Sequence, residues 1–306
     1  MAREQWGICG EANLHGLHLF FNAHEGYEPV IREALSQLPA VFDEINNQFS
    51  EAMFSGVVAI GANFWNELYP DSRPPLFKSF PSMHQDDRHI PGVPVDLFFQ
   101  LRSDRQDVNY IASQRILNLL GEMVELIEQV PCFRYLDGRD LTGFVKGSAN
   151  PKGRKRREVA LIDDKGVFNS GSYVHVQRYR HHMNRWQSLP TEEQELIIGR
   201  TKHDNQRVPS EELQETAHTF RARCFDQDGK NIEILRQSMP YGDMSTQGLL
   251  FISYCKTPLH FEQILTNMVF GNHEGNYDHL FNYTSAETGA AFFAPSINFL
   301  VNQGNV

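Results

Sequence analysis

The sequence predicts an α+β fold of two ferredoxin-like domains, each an antiparallel sheet with helices packed on it. Three observations carry this expectation. At 306 residues the chain exceeds one comfortable core, so two domains of roughly 150 residues each are expected. An apolar content of 41% and a charged content of 22% describe an ordinary globular chain and not a disordered one. The hydrophobic periodicity then runs in the order β-α-β-β-α-β and repeats, less cleanly, in the second half.

The apolar, His-containing stretch from Leu14 to Phe21 reads as a strand. From about Glu28 to Phe49, Val30, Ile31, Ala34, Leu35, Leu38, Val41, Phe42, Ile45 and Phe49 fall at helical spacing, with a bend expected at Pro39. Strands follow at about Phe54 to Ile60 and Asp96 to Arg102. A second helix is expected from Val108 to Gln129, and Phe133 to Leu136 closes the first half as a short strand. In the second half, strands are expected at Glu158 to Ile162, Tyr173 to Tyr179, His218 to Phe225, Ile232 to Arg236 and Leu249 to Cys255. A helix opening at T-E-E-Q (Thr191, Gln194) has capping-box form. A helix from Leu259 to Phe270 and an apolar stretch at Ala290 to Pro295 complete the pattern. Without a low-complexity linker, the boundary is placed near residue 138, giving domains 1–138 and 139–306.

A net charge of −10 argues against nucleic acid as a partner, since polyanion binders present a broad basic face. The one basic run, Arg154 to Arg157, reads as a solvated loop. Cys9, Cys132, Cys224 and Cys255 are far apart and form no C-x-x-C pair, so free thiols are expected. No run approaches 18 apolar residues, and M-A-R-E-Q-W-G has no apolar h-region. A soluble, cytoplasmic protein is the expectation.

Several residues stand out chemically. In G-F-V-K-G-S-A-N-P, two glycines frame Lys146, which suggests close backbone approach to a ligand, although neither P-loop nor dinucleotide spacing is met. His15 and His18 would point to opposite faces of a strand, and His181 and His182 are adjacent in an expected loop. His218 follows a long polar stretch and opens an apolar one; the position suits a structural histidine or a single axial ligand for a haem. Arg236 ends a strand before a Pro-Gly turn, where it is either solvated or held in a pocket to stabilise developing negative charge.

Taken in order, R-D-L-T-G-F-V-K-G-S-A-N-P, G-S-Y-V-H-V-Q-R, I-I-G-R-T-K, T-A-H, I-L-R-Q-S-M-P-Y-G, G-L-L-F-I-S-Y-C, G-N-Y-D-H and F-F-A-P-S resemble the dye-decolourising (DyP-type) peroxidases. These are bacterial haem peroxidases of the dimeric α+β barrel-like superfamily, and the resemblance spans nearly the whole chain. It implies a haem b cofactor, hydrogen peroxide as oxidant, a small-molecule reductant such as a dye or phenol, and a homodimer or higher homo-oligomer. It implies His218 as proximal ligand of the haem iron, with Asp278 behind it. Arg236 would be the distal arginine, and Leu249 and Phe251 would line a dry distal pocket. Arg200 would pair with a haem propionate, and the loop carrying Gly147 and Ser148 would lie over the haem.

The chain departs from the family pattern in that loop. The family motif is G-x-x-D-G, and Lys146 stands where its proton-moving aspartate is usual; Ser148-Ala149 stands where Thr-Glu is usual. A lysine with its ordinary pKa near ~10.4 is protonated at neutral pH and is no base. Burial and the cation of Arg236 would lower that value. The resulting neutral amine would serve as a base or ligate the iron, or the ammonium would swing to a propionate or solvent. The implied function is a haem peroxidase with Arg236 as main distal group and reduced activity. The alternatives are an impaired haem-binding, storage or sensing protein, and a non-haem binding protein.

Overall fold

The N-terminal half opens with helix α1 (Trp6–Cys9) and strand β1 (His15–Ala23), then helix α2 (Glu28–Gln48) and strand β2 (Ser55–Gly61). Helix α3 (Trp65–Leu68) and a hairpin of β3 (Met83–Gln85) and β4 (Arg88–Ile90) follow, before β5 (Leu97–Ser103), α4 (Gln106–Leu120) and β6 (Val124–Phe133). The computed structural model describes residues 2–304. Met1, the first residue of the stretch read for a secretory signal, lies outside the described residues, as do Asn305 and Val306.

The second half comprises α5 (Lys155–Ala160), β7 (Ser172–His181), α6 (Met183–Gln187), α7 (Thr191–Ile198) and α8 (His218–Arg221). It continues with β8 (Leu235–Arg236), β9 (Met239–Gly242), β10 (Gln247–Cys255), α9 (Pro258–Phe270), β11 (Thr284–Ala294) and α10 (Ile297–Gln303). Strands β8 and β9 hold the same register on β10, with Gln237 and Ser238 as the break between them. They are one interrupted strand.

Both halves are antiparallel sheets of the ferredoxin-like order. In the first, the strands lie β6-β1-β5-β2; in the second, β11-β7-β10 and then the interrupted β8/β9. The two sheets also join edge to edge, through β2 with β11 and β6 with β9, and close into a barrel. Closure removes four free strand edges that would otherwise invite aggregation. Val57, Phe98, Val130, Val176, Ile252 and Phe292 fill the barrel interior.

Side chains alternate across each strand, so the outward residues form separate cores. Outside the first half, Leu17, Leu19, Val58, Phe99 and Leu101 pack against the buried faces of α2 and α4. Helix α2 continues through Pro39, whose ring is itself buried. Outside the second half, α9 contributes Phe261, Ile264 and Leu265 to a smaller core. The first crossover there has no counterpart of α2; residues 182–234 run through the short helices α6, α7 and α8 instead. That substitution leaves the outer face of β7 and β10 partly uncovered.

Six expectations are corrected. The helix expected to Gln129 ends at Leu120, before Gly121, and V-E-L-I-E-Q-V pairs along β1 as strand β6. The strand expected at Phe133–Leu136 is therefore the end of β6, and Leu136 lies in a turn at φ +48°. The stretch Glu158–Ile162 falls in and after α5, and Arg154, Lys155, Arg156 and Arg157 are not free there but pair with Glu158, Glu233, Glu11 and Glu4. His218–Phe225 begins as helix α8, and Thr191 caps nothing: Pro190 precedes α7, and Gln194 donates to the carbonyl of Trp186 at 2.8 Å.

Candidate functional site

The uncovered face of the second half is the floor of a cavity of about 1120 Å³. That exceeds the ~300–1,000 Å³ of an ordinary ligand pocket. Its sheet-side wall carries Gln177, Tyr179, Leu249, Phe251 and Arg236, and its helix-side wall carries His218, Phe261, Ile264, Leu265 and Met268. Leu249 and Phe251 project from the same face of β10, as their spacing requires. Phe251 packs on Phe261, whose ring stacks on His175 at a centroid separation of 4.0 Å. The wall is apolar except at a few points.

His218 is one of those points. It is the first residue of α8, and its Nδ1 lies 2.7 Å from Oδ2 of Asp278. Asp278 is wholly buried, and its Oδ1 accepts from the backbone N–H of Leu280 at 3.0 Å. A carboxylate engaged this way holds the proton on Nδ1 and leaves the Nε2 lone pair for a ligand. Nε2 has no protein partner among the described residues, and His218 is partly open to the cavity. The short helix is set by its neighbours: Gly199 ends α7 at φ +85°, where an added Cβ would run into the Thr219 hydroxyl. The backbone N–H of His279 donates to Thr216 at 3.0 Å and ties the Asp278 segment to α8.

Arg236 lies on the sheet side. Its backbone is gripped by one side chain: Arg236 N donates to Asn150 Oδ1 at 2.9 Å, and Asn150 Nδ2 donates to Arg236 O at 2.7 Å. This is the hydrogen-bond pattern of a strand partner, supplied by a loop amide. Among the described residues no acceptor engages the Arg236 guanidinium; burial pulls its pKa down, and Glu233 acts in the opposite sense.

The loop that brings Asn150 also carries Gly147, Ser148 and Lys146, all in the cavity wall. Gly147 takes φ +68°, a left-handed turn that a side chain would strain, and Ser148 exchanges hydrogen bonds with Asn205 at 3.0–3.1 Å. Asn205 in turn gives its carbonyl to Arg200 Nη1 at 2.9 Å. Burial and the nearby cation Arg207 both lower the pKa of Arg200.

Lys146 is half-buried, and burial is the main reason its pKa falls from 10.5 to about 8. Asp140 pulls it back up, while Arg102 and Arg134 lower it further. The expectation that Arg236 presses on this amine is corrected, because the neighbours that do so belong to the barrel rim. Asp140 is itself held low, at about 2: burial raises it, but His181 and Thr142 outweigh that. His181 Nε2 lies 3.1 Å from Asp140 Oδ2, and His181 Nδ1 lies 3.1 Å from the Thr284 hydroxyl. His181 ends β7 and is buried, not in a loop, whereas His182 meets Ser285. His18 is sealed inside the barrel, where burial lowers it to about 3.

Sequence reasoning thus placed His218, Asp278, Arg236, Lys146, Gly147, Ser148, Arg200, Leu249 and Phe251, and all of them line one cavity. It missed Asn150, Arg102 and the Asp140–His181 pair. In the sequence, Asn150 before Pro151 is a turn signal and nothing more.

Two family models match, the N-terminal part of the Dyp-type peroxidases over residues 17–134 and the C-terminal part over residues 137–299. A dye-decolorizing peroxidase of Rhodococcus erythropolis is 34% identical over 287 residues, which is 93% of this chain and 84% of that protein. A DyP-type peroxidase protein from Shewanella oneidensis superposes with a TM-score of 0.97 at 49% identity, covering 99% of each chain. A DypB variant of Rhodococcus jostii in complex with heme superposes with a TM-score of 0.94 at 32% identity, covering 99% of this chain and 100% of that one. With both halves of the fold and nearly its whole length accounted for in this way, the chain belongs to the DyP-type peroxidases, an enzyme family.

Proposed function

We propose that the protein is a haem peroxidase that uses hydrogen peroxide to oxidise dyes, phenols or other small reductants, with haem b held between His218 and Arg236. One observation carries the reading: an imidazole anchored by a buried carboxylate at 2.7 Å faces a large apolar cavity that also holds the Arg236 guanidinium, unpaired among the described residues. These residues fit the group. His218 Nε2 is free to ligate iron, Asp278 makes the ring a stronger donor, and Leu249 and Phe251 keep the pocket dry. Arg200 suits a propionate, and Gly147 and Ser148 let the loop lie close to the ring. When bound, haem supplies the redox-active iron at which peroxide is reduced and through which electrons are drawn from the reductant.

Arg236 orients peroxide and stabilises negative charge on the departing oxygen; such donors act strongly in a dry, low-dielectric site. A proton must also pass from one peroxide oxygen to the other. We read Lys146 as standing in the position of the family aspartate. With its pKa near 8, the amine is mostly protonated at pH 7 and cannot accept that proton, so turnover is reduced. The same observation favours a second reading, a haem-binding, storage or sensing protein without turnover.

Absorption spectra of the haem-supplied chain, before and after hydrogen peroxide, decide between these readings. The peroxidase reading expects a Soret band that changes slowly with peroxide, and faster in Lys146→Asp. No haem uptake would sink both readings. Uptake with no peroxide response in either protein would leave storage or sensing. We further infer domains 1–138 and 139–306, a homodimer or higher homo-oligomer, and a cytoplasmic location. Among the described residues no helix is long and apolar enough to cross a membrane.

A further inference from the structure

The cavity does not stop at the sheet-side wall. At the break between β8 and β9 it continues over the barrel rim, where Arg102, Arg134, Lys146 and Gln237 line it. We propose that this end of the cavity binds the carboxylate group of a small organic acid.

Arg102 carries the argument. Its side chain is only 3% exposed, yet a guanidinium has five N–H donors to satisfy. One Nη1 hydrogen bond goes to Gln237 Oε1, and the buried Nε has no partner among the described residues. Gln237 cannot turn to offer more, because its Nε2 donates to the carbonyls of Ile8 at 3.0 Å and Gly10 at 2.9 Å. The acids nearby are already committed. Asp137 pairs with Arg139, Asp140 with His181, and the exposed Glu11 with Arg156. Among the described residues Arg102, Arg134 and Lys146 are left without an ion-pair partner. Burial is the main reason the pKa of Lys146 falls, and Arg102 and Arg134 lower it further.

A buried cation without a counter-ion is costly, and several converging cations are more so. A carboxylate answers both needs: its two oxygens match the arginine fork, and its charge neutralises the cluster. The carboxylate has two possible sources, a haem propionate or the acid group of a free small molecule such as a reductant. The second rests on the peroxidase reading.

Calorimetric titration of benzoate into the full chain, with and without haem supplied, tests the site; benzamide is the uncharged control. Saturable benzoate binding is expected, at least ~10-fold weaker in Arg102→Gln and in Lys146→Gln, with benzamide binding much more weakly. Binding retained after haem uptake assigns the site to a free acid. Binding lost on haem uptake assigns it to the haem's own carboxylate. No benzoate binding in either form, equal binding of benzamide, or affinity unchanged in the variants overturns the proposal. If Arg102→Gln does not fold, Lys146→Gln, on a half-buried loop, decides alone. If the wild-type chain takes up no haem, the peroxidase reading fails while the haem-free titration still decides the site.

Discussion

The two halves of the barrel share a strand order and differ in what covers them. In the first half, two long helices, α2 and α4, seal the outer face of the sheet with close-packed aliphatic and aromatic side chains. In the second half, α9 is the only comparable helix among the described residues, and the first crossover is broken into α6, α7, α8 and their loops. A pocket in the sealed half, lined by Ala23, Phe64 and Asp96, has about 520 Å³ against about 1120 Å³ here, and the broken crossover delivers both Arg200 and His218 into the larger hollow. The same topology therefore serves once as scaffold and once as site, and replacement of one helix by jointed segments makes the difference.

The largest test of this division is His218→Ala. It removes the cavity-facing imidazole that Asp278 anchors and whose Nε2 is left without a protein partner among the described residues, and haem uptake, read as the Soret band, should fall by more than the ~10–100-fold typical of losing an outer partner. Arg236→Gln should leave uptake intact and slow the peroxide reaction by about 10²–10³-fold, the range for losing one charge-stabilising donor. Equal loss of haem in both variants would show that Arg236 is structural. In the sealed half, Leu35→Ala should lower stability by about 2–5 kcal/mol, as full burial in a packed core implies. Its peroxide rate at low temperature should stay unchanged; a rate loss there would erase the division between scaffold and site. Asn150→Ala deletes two hydrogen bonds to the Arg236 backbone. A loss of about 1–3 kcal/mol is expected in denaturant unfolding, with the peroxide rate falling further than in Leu35→Ala.

Legibility in the sequence does not follow the division between the halves. Helices α2 and α9 announce themselves because one apolar stripe recurs at helical period and packs on one sheet face. The α4–β6 boundary was not legible, because E-M-V-E-L-I-E-Q-V satisfies helical and strand patterns alike. Pairing with β1, more than a hundred residues upstream in the fold's sequence order, decides it. Barrel closure rests on contacts such as Phe292 with Gly61 and Cys132 with Tyr241, which no local window contains. In the site, His218 and Asp278 were legible through family-like motifs. Arg102 was not, since a lone arginine in a hydrophobic strand carries no sign of which partner it lacks. Asn150 was invisible for a related reason: its role depends on a strand 86 residues away.

The smallest expected effect concerns Lys146. Its pKa is about 8 in the folded chain and near 10.5 when exposed, so the folded form releases its proton first as pH rises. Between those values the unfolded chain holds more protons than the folded one, and stability therefore rises with pH. Below pH 8 the cost of burying the charge is fully present. Lys146→Met removes both the charge and its titration, so it should be relatively most stabilising at pH 7 and lose that advantage by pH 10. The difference in melting temperature between variant and wild type should shrink by roughly 2–4 °C over that interval. The peroxide rate offers a second readout on the same group. A neutral amine accepts a proton, so the wild-type rate should climb through pH 8 while that of Lys146→Met does not. If both rates share one pH profile, the amine over the barrel rim takes no part in moving the peroxide proton, and the hollow half works through Arg236 alone.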